Sequence, residues 1–239
     1  MSMPFHCVSR TDVGRRRRVN EDALMTRTDR GLWVVADGMG GHDAGDVASR
    51  KIADALQHLP IVYSLDDLVS NAVEALRRVN HELILLARGD GVPRTIGSTV
   101  VGLAIAGQEF RCFWAGDSRA YLWRNGRLAQ LSRDHSLVED LVQAGMLRPE
   151  EAHDHPQSNV VTRAIGVSED LKIDLVSGDA RPGDVFLLAS DGLTRVVADA
   201  ELFDAYPQSS LEVLADQLID RVLQRGAPDN VSLILVRVR

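Results

Sequence analysis

The sequence predicts an α+β domain in which a few helices cover two antiparallel sheets. Strand-like segments are numerous and mostly joined by short turns, which favours antiparallel pairing over regular βαβ alternation. Helical periodicity is confined to four stretches. With so many strands and so few helices, the strands must cover one another, as two sheets packed face to face. The 239 residues, 45% hydrophobic and 26% charged, can build such a core without disulfide or metal staples.

Strands are expected at about Phe5–Arg10, Ala23–Thr28, Leu32–Ala36, Thr99–Ala106, Glu109–Ala115, Arg119–Trp123 and Arg127–Leu131, then Lys172–Val176, Val185–Ser190 and Val231–Val238. Asn125-Gly126 between apolar stretches is a strong hairpin signal. A helix is expected over Ala44–Leu59, where Ala48, Ile52, Ala55, Leu56 and Leu59 share a face, and another over Leu65–Leu83, striped by Leu68, Ala72, Val73, Leu76, Val79 and Leu83. Ser136 with Glu139 forms a capping-box pattern for a helix ending near Gly145. The last helix, Leu211–Gln224, stops at Gly226 and Pro228. No repeat, low-complexity tract or linker divides the chain, so residues 1–239 read as one domain.

A formal net charge of −7 argues against a nucleic-acid binder with a general basic surface. No apolar run approaches the roughly 20 residues of a membrane span, and "MSMPFHCVSR" lacks the regions of a secretory signal. Two cysteines, Cys7 and Cys112, on separate strand-like segments fit a reducing compartment, and the cytoplasm is expected. "HCVSR" suggests a cysteine phosphatase, but Arg10 follows Cys7 after two residues rather than five, so Cys7 reads as a strand residue. The charge run Arg15–Arg18 reads as a solvated turn with some attraction for anions.

One pattern recurs at strand ends. "LWVVADGMGGHDAG" runs five apolar residues into Asp37, with glycines at 38, 40, 41 and 45 freeing the backbone for a close approach. "FRCFWAGDS" places Asp117 likewise, "VFLLASDG" places Asp191, and "APDNVSLILV" puts Asp229 just before its strand. Antiparallel neighbours bring one strand's exit beside the next one's entrance, so Asp229 can share a sheet end with Asp37 and Asp191. Asp-Gly and Asp-Asn are also ordinary turn dipeptides. Four carboxylates against four buried strands repel one another and point to hard cations, Mg²⁺ or Mn²⁺. No CxxC, HExxH or Walker Gly-Lys-Ser/Thr is present.

The segments "TDVGRRRRVNEDA", "VVADGMGGHDAG", "GSTVVGLAI", "WAGDSRAYLWRNG", "LSRDHSLVEDLVQAG", "VVTRAIG", "LLASDGLTRVV" and "PDNVSLILVRV" stand in the order of a known family. Over nearly its whole length the chain resembles the metal-dependent serine/threonine protein phosphatases of the PPM family, the type 2C phosphatases, in their compact bacterial form. The resemblance implies a central antiparallel β-sandwich of two sheets flanked by helix pairs, a four-layer α-β-β-α arrangement, with a flap over about residues 133–166. It implies two Mn²⁺ or Mg²⁺ ions at one edge of the sandwich. Asp37 would bridge them, the Gly38 carbonyl would ligate one, and Asp191 and Asp229 would be the remaining direct ligands. Glu21 and Asp22 match an acidic pair acting partly through water. Asp117, with Asp191, matches the holder of a third, weaker metal.

Arg17, three residues after Gly14, aligns with the arginine that grips the substrate phosphate; a one-residue shift would give Arg16 or Arg18, and spacing to Gly14 and Asn20 favours Arg17. Met39 stands where some members carry a catalytic histidine. Bacterial members end the glycine stretch with His, as "DGMGGH" does here, so His42 or a metal-bound water is the implied proton donor. His135, His153 and His155 read as surface residues or substrate contacts.

The implied activity is hydrolysis of phosphoserine and phosphothreonine in proteins by a hydroxide bridging the two ions, without a phosphoenzyme. The implied partners are phosphoproteins, including a cognate eukaryotic-like Ser/Thr kinase, and the implied state is a monomer. Two other readings stand beside it: a pseudophosphatase that docks on a kinase or regulator, and a hydrolase of small phosphoesters.

Overall fold

The structure, a computed structural model, describes residues 4–40, 44–89, 95–152 and 154–239. Its first sheet contains β1 (Phe5–Asp12), β7 (Arg119–Arg124), β8 (Arg127–Gln130), β10 (Val185–Ala189) and β11 (Val231–Val238), in the order β1-β11-β10-β7-β8. The second contains β2 (Asp22–Arg27), β3 (Leu32–Gly40), β5 (Val100–Ala106), β6 (Glu109–Ala115) and β9 (Asp174–Asp179), ordered β2-β3-β5-β6-β9, with β4 (Ile96–Ser98) on the end of β3. Every pairing is antiparallel. The helices are α1 (Ala44–Gln57), α2 (Leu65–Arg88), α3 (Leu137–Gln143), α4 (Asp191–Thr194) and α5 (Leu211–Gln224).

The alternation of side chains along each strand sorts the core into three apolar interfaces, which separate four layers. On β3, Trp33 and Val35 face the other sheet, where they meet Phe186, Leu188, Ile234 and Val236. Leu32, Val34 and Ala36 face the opposite way, onto the stripes of α1 (Ala48, Ile52, Leu56) and α2 (Leu76, Leu83). Leu187, Leu233 and Leu235 pack outward from the first sheet against Leu214, Leu218 and Val222 of α5. Central strands buried on both faces read as unbroken apolar runs, which is how "LWVVA" and "SLILV" stand in the sequence. The α-β-β-α order expected from the family resemblance is the one observed.

Local signals held where the chain decides its own conformation. Asn125 and Gly126 adopt φ of 52° and 77°, the paired positive angles of a tight hairpin turn. Ser136 Oγ accepts the Glu139 N–H at 3.3 Å to start α3. β3 differs from expectation. It continues four residues past Ala36, because Gly38, Met39 and Gly40 pair with Ser98, Gly97 and Ile96 of β4. Asp37 therefore lies within a strand, not beyond one. Cys7 and Cys112 are free thiols on different sheets, and burial raises the pKa of each, the reverse of what a cysteine nucleophile needs. No helix among the described residues is long and apolar enough to cross a membrane.

Candidate active site

The two sheets stack so that the start of β2, the far half of β3, the exit of β10 and the entrance of β11 meet at one edge. Asp22 and Asp37 are directly opposite on β2 and β3. Asp191 follows β10 and opens α4, while Asp229 lies two residues before β11. Hydroxyls join the sheets here: Ser190 Oγ donates to Asp22 Oδ2 at 2.9 Å and accepts the Ser232 N–H at 3.0 Å. Asn230, 5% exposed, accepts the Glu21 N–H at 2.9 Å and donates to the carbonyls of Val13 and Val19. Thr99 brackets Asp37, its Oγ1 accepting the Asp37 N–H and its own N–H donating to the Asp37 carbonyl.

Two glycines are required by close approach. A Cβ on Gly38 would lie 2.1 Å from the Gly45 carbonyl oxygen at the start of α1. The close approach read from "ADGMGG" is thus made first by the protein's own helix. Gly14, at φ +76°, would place a Cβ 2.2 Å from the Asp229 carbonyl oxygen. Its left-handed turn lays the arginine run against the Asp229 loop. Of the four arginines, Arg17 lines the cleft; its Nε and Nη2 donate to Asp229 Oδ1 and Oδ2, each at 2.7 Å. Arg15 turns away to the Leu223 carbonyl, and Arg16 and Arg18 are exposed.

The result is a cleft of about 480 Å³ lined by Arg17, Glu21, Asp37, Gly38, Asp117, Asp191, Arg195 and Asp229. Asp22 lies behind it, against Ser190. The carboxylates strain against one another. Burial, then repulsion from Asp22, Asp191, Asp117 and Asp229, raises the pKa of Asp37 well above the usual carboxylate range. Burial is also the leading cause for Asp22, pushed up to about 6, and for Asp117, pushed up to about 7 with the Asp191 charge adding to it. Asp191 and Glu21 are raised too, again chiefly by burial.

Desolvated carboxylates opening onto a polar cleft form a hard oxygen donor set suited to divalent ions. Among the described residues, no three Asp, Glu, His or Cys side chains are placed to hold one ion together as they stand, and arginines engage several of the carboxylates. Arg17 holds Asp229, and Arg195 Nε lies 2.7 Å from Asp191 Oδ2. Arg17, its side chain 51% exposed and held by one carboxylate, can leave Asp229 by rotation.

The comparisons agree with this geometry. Residues 13–226 match the family described as Protein phosphatase 2C. The chain belongs to that family. Relatives of this 2C phosphatase include the serine/threonine phosphatase Stp of Listeria welshimeri, 35% identical over 240 residues, covering 97% of this chain and 95% of that one. PppA, described as a key regulatory component of T6SS in Pseudomonas aeruginosa, superposes with a TM-score of 0.90 at 42% identity, over 98% of both chains. The catalytic domain of the phosphatase PstP, solved with two manganese ions, superposes with a TM-score of 0.86 at 33% identity, over 98% of this chain and 97% of that one.

The structure brings Arg17, Glu21, Asp22, Asp37, Gly38, Asp117, Asp191 and Asp229 to one edge of the sandwich. His42 and His153 lie outside the described residues. His135 is not at the surface: it is 2% exposed, stacked on Trp114, accepts the Gly116 N–H at Nδ1 and faces Asp174 at Nε2. The expectation of His135 as a surface residue fails because β6 and β9, through Trp114 and Asp174, wall in this position. Sequence reasoning also missed Thr99, Ser190, Arg195 and Asn230, whose residue types are unremarkable at strand ends and in loops.

Proposed function

We propose that this 2C phosphatase removes phosphate from phosphoserine and phosphothreonine in proteins, with Asp37, the Gly38 carbonyl, Asp191 and Asp229 as direct ligands of two Mn²⁺ or Mg²⁺ ions. Glu21 and Asp22 support those ligands; Glu21 also caps the start of α1 through the Gly45 N–H. The observation that carries the reading is the convergence of these partly buried carboxylates on a cleft whose rim bears Arg17. When bound, the two ions supply an activated water and neutralise charge on the phosphoryl group.

The chain's own residues do the rest. Asp229, on turning to its ligand role, releases Arg17, whose guanidinium then offers phosphate oxygens the same planar, bidentate fork it gave the carboxylate. Asp22 and Asp37, braced by Ser190 and Thr99, hold the reacting face rigid. The proton delivered to the leaving serine or threonine oxygen is assigned to His42, which lies outside the described residues, or to a water of the metal site. The segment 133–166, carrying α3, is assigned the role of a flap that meets the substrate chain. The buried, raised-pKa thiols leave no cysteine to form a phosphoenzyme.

The setting we assign is the cytoplasm, opposite a eukaryotic-like Ser/Thr kinase. Comparing kcat/KM on phosphothreonine peptides with that on small phosphate esters tests the substrate class. Higher efficiency on peptides is expected; the reverse order would move the assignment to a small-molecule hydrolase.

A further inference from the structure

The family resemblance implied a third metal held by Asp117 and Asp191, and the residues at that place do not fit one. Asp117 is 5% exposed, and its described side-chain partner is Arg195, whose Nη2 lies 3.2 Å from Asp117 Oδ2. The same guanidinium places Nε 2.7 Å from Asp191 Oδ2 and donates from Nη2 to the Ser158 carbonyl at 3.0 Å. One cation thus satisfies both carboxylates and a main-chain oxygen of the segment over the cleft. Arg195 forms the wall between the main cleft and an adjoining cavity of about 280 Å³.

We propose that Arg195 is the built-in cation of this site, occupying the place of a third metal, so that the chain binds two divalent ions and no more. This rests on the two-metal reading above. The contrast with Arg17 carries the argument. Arg17 grips one half-exposed carboxylate from the rim and can exchange it for phosphate. Arg195 directly follows the short helix that Asp191 opens, joins two carboxylates, and is itself 30% exposed. A divalent ion ligated directly by Asp117 and Asp191 would sit about 2.0–2.1 Å from an oxygen of each. It would have to expel the guanidinium and leave the Ser158 carbonyl without that donor, or share the site with a like charge.

Counting bound Mn²⁺ tests this directly, by calorimetry and by the electron paramagnetic resonance of the free ion. Wild type should saturate at two ions per chain. Arg195→Ala and Arg195→Gln should each gain a third, weaker ion, and adding Asp117→Asn should remove it again. Glutamine can still bond to Ser158, so a folded variant is available if alanine disturbs the loop; near-ultraviolet circular dichroism checks both. Three ions on wild type, or only two on both folded Arg195 variants, would overturn the proposal. Fewer than two on wild type would instead overturn the two-metal reading beneath it.

Discussion

Asp22→Asn removes one charge from the acidic cluster while keeping the side chain's shape, and its effect on the metal-free protein can be sized. Asp22 is pushed from 3.8 to about 6, chiefly by burial, with the Asp229 charge adding to it against the hydroxyls of Ser232 and Ser190. A rise of about two units is about 3 kcal/mol of preference for the neutral form. The folded protein holds this proton to higher pH than the unfolded chain does. The carboxylate's cost is therefore absent below about pH 4 and fully developed above about pH 6. Asparagine still accepts the Ser190 hydroxyl and brings an amide donor towards Asp37.

In chelator near neutral pH, Asp22→Asn should be more stable than wild type by about 1–3 kcal/mol, a rise in Tm of roughly 2–10 °C for a chain of this length. The gap should close as pH falls towards about 4, and added Mn²⁺ should raise the Tm of wild type more than that of the variant. Thermal unfolding followed by circular dichroism reads all three. A variant no more stable than wild type in chelator at neutral pH, or a gap that widens on acidification, would refute the account of a self-repelling, desolvated cluster.

Arg17→Ala should lower kcat/KM on a phosphothreonine peptide by roughly 10–100-fold, the worth of charge-assisted hydrogen bonds; an unchanged value in steady-state kinetics would take the phosphate from Arg17. Mn²⁺ affinity measured by calorimetry should weaken as pH falls from about 8 to about 6, because Asp37, raised well above the usual carboxylate range, and Asp22, raised to about 6, must shed protons before their charges favour a cation. Asn80, 3% exposed on α2, accepts the Gly166 N–H at 2.6 Å and donates to the Ser168 carbonyl at 2.8 Å, pinning the end of the 133–166 segment. Asn80→Ala should cost about 1–3 kcal/mol in denaturant unfolding, since the amide bonded to it loses its partner; a change within error would show that water replaces the side chain.

What could be read in advance followed from how local each determinant is. The stripes of α1 and α2, the Asn125-Gly126 turn and the cap at Ser136 are written in neighbouring residues, and all formed where expected. β3 was read as ending at Ala36 because its last residues are held by β4, almost sixty residues later, and a Gly-rich segment carries no signal of that partner. The short α4 has no counterpart in the sequence reading, since four residues are too few to show helical periodicity. The aspartates were legible because each abuts a buried apolar run. Thr99, Ser190 and Asn230 were not, because a small polar residue at a strand end looks the same whether it faces solvent, holds an aspartate's backbone or reaches the facing sheet. Arg195 gives no sign of its role until the fold brings Asp117, Asp191 and Ser158 around it.

The central claim is that the carboxylate cleft is a metal-dependent phosphatase centre. Phosphate release from a phosphothreonine peptide, with Mn²⁺ titrated against chelator and Asp191→Ala run in parallel, tests it most directly. The account predicts turnover that appears with Mn²⁺, vanishes in chelator and collapses in the variant. Wild-type protein that binds Mn²⁺ yet releases no phosphate, or Asp191→Ala protein that turns over as fast as wild type, would contradict it.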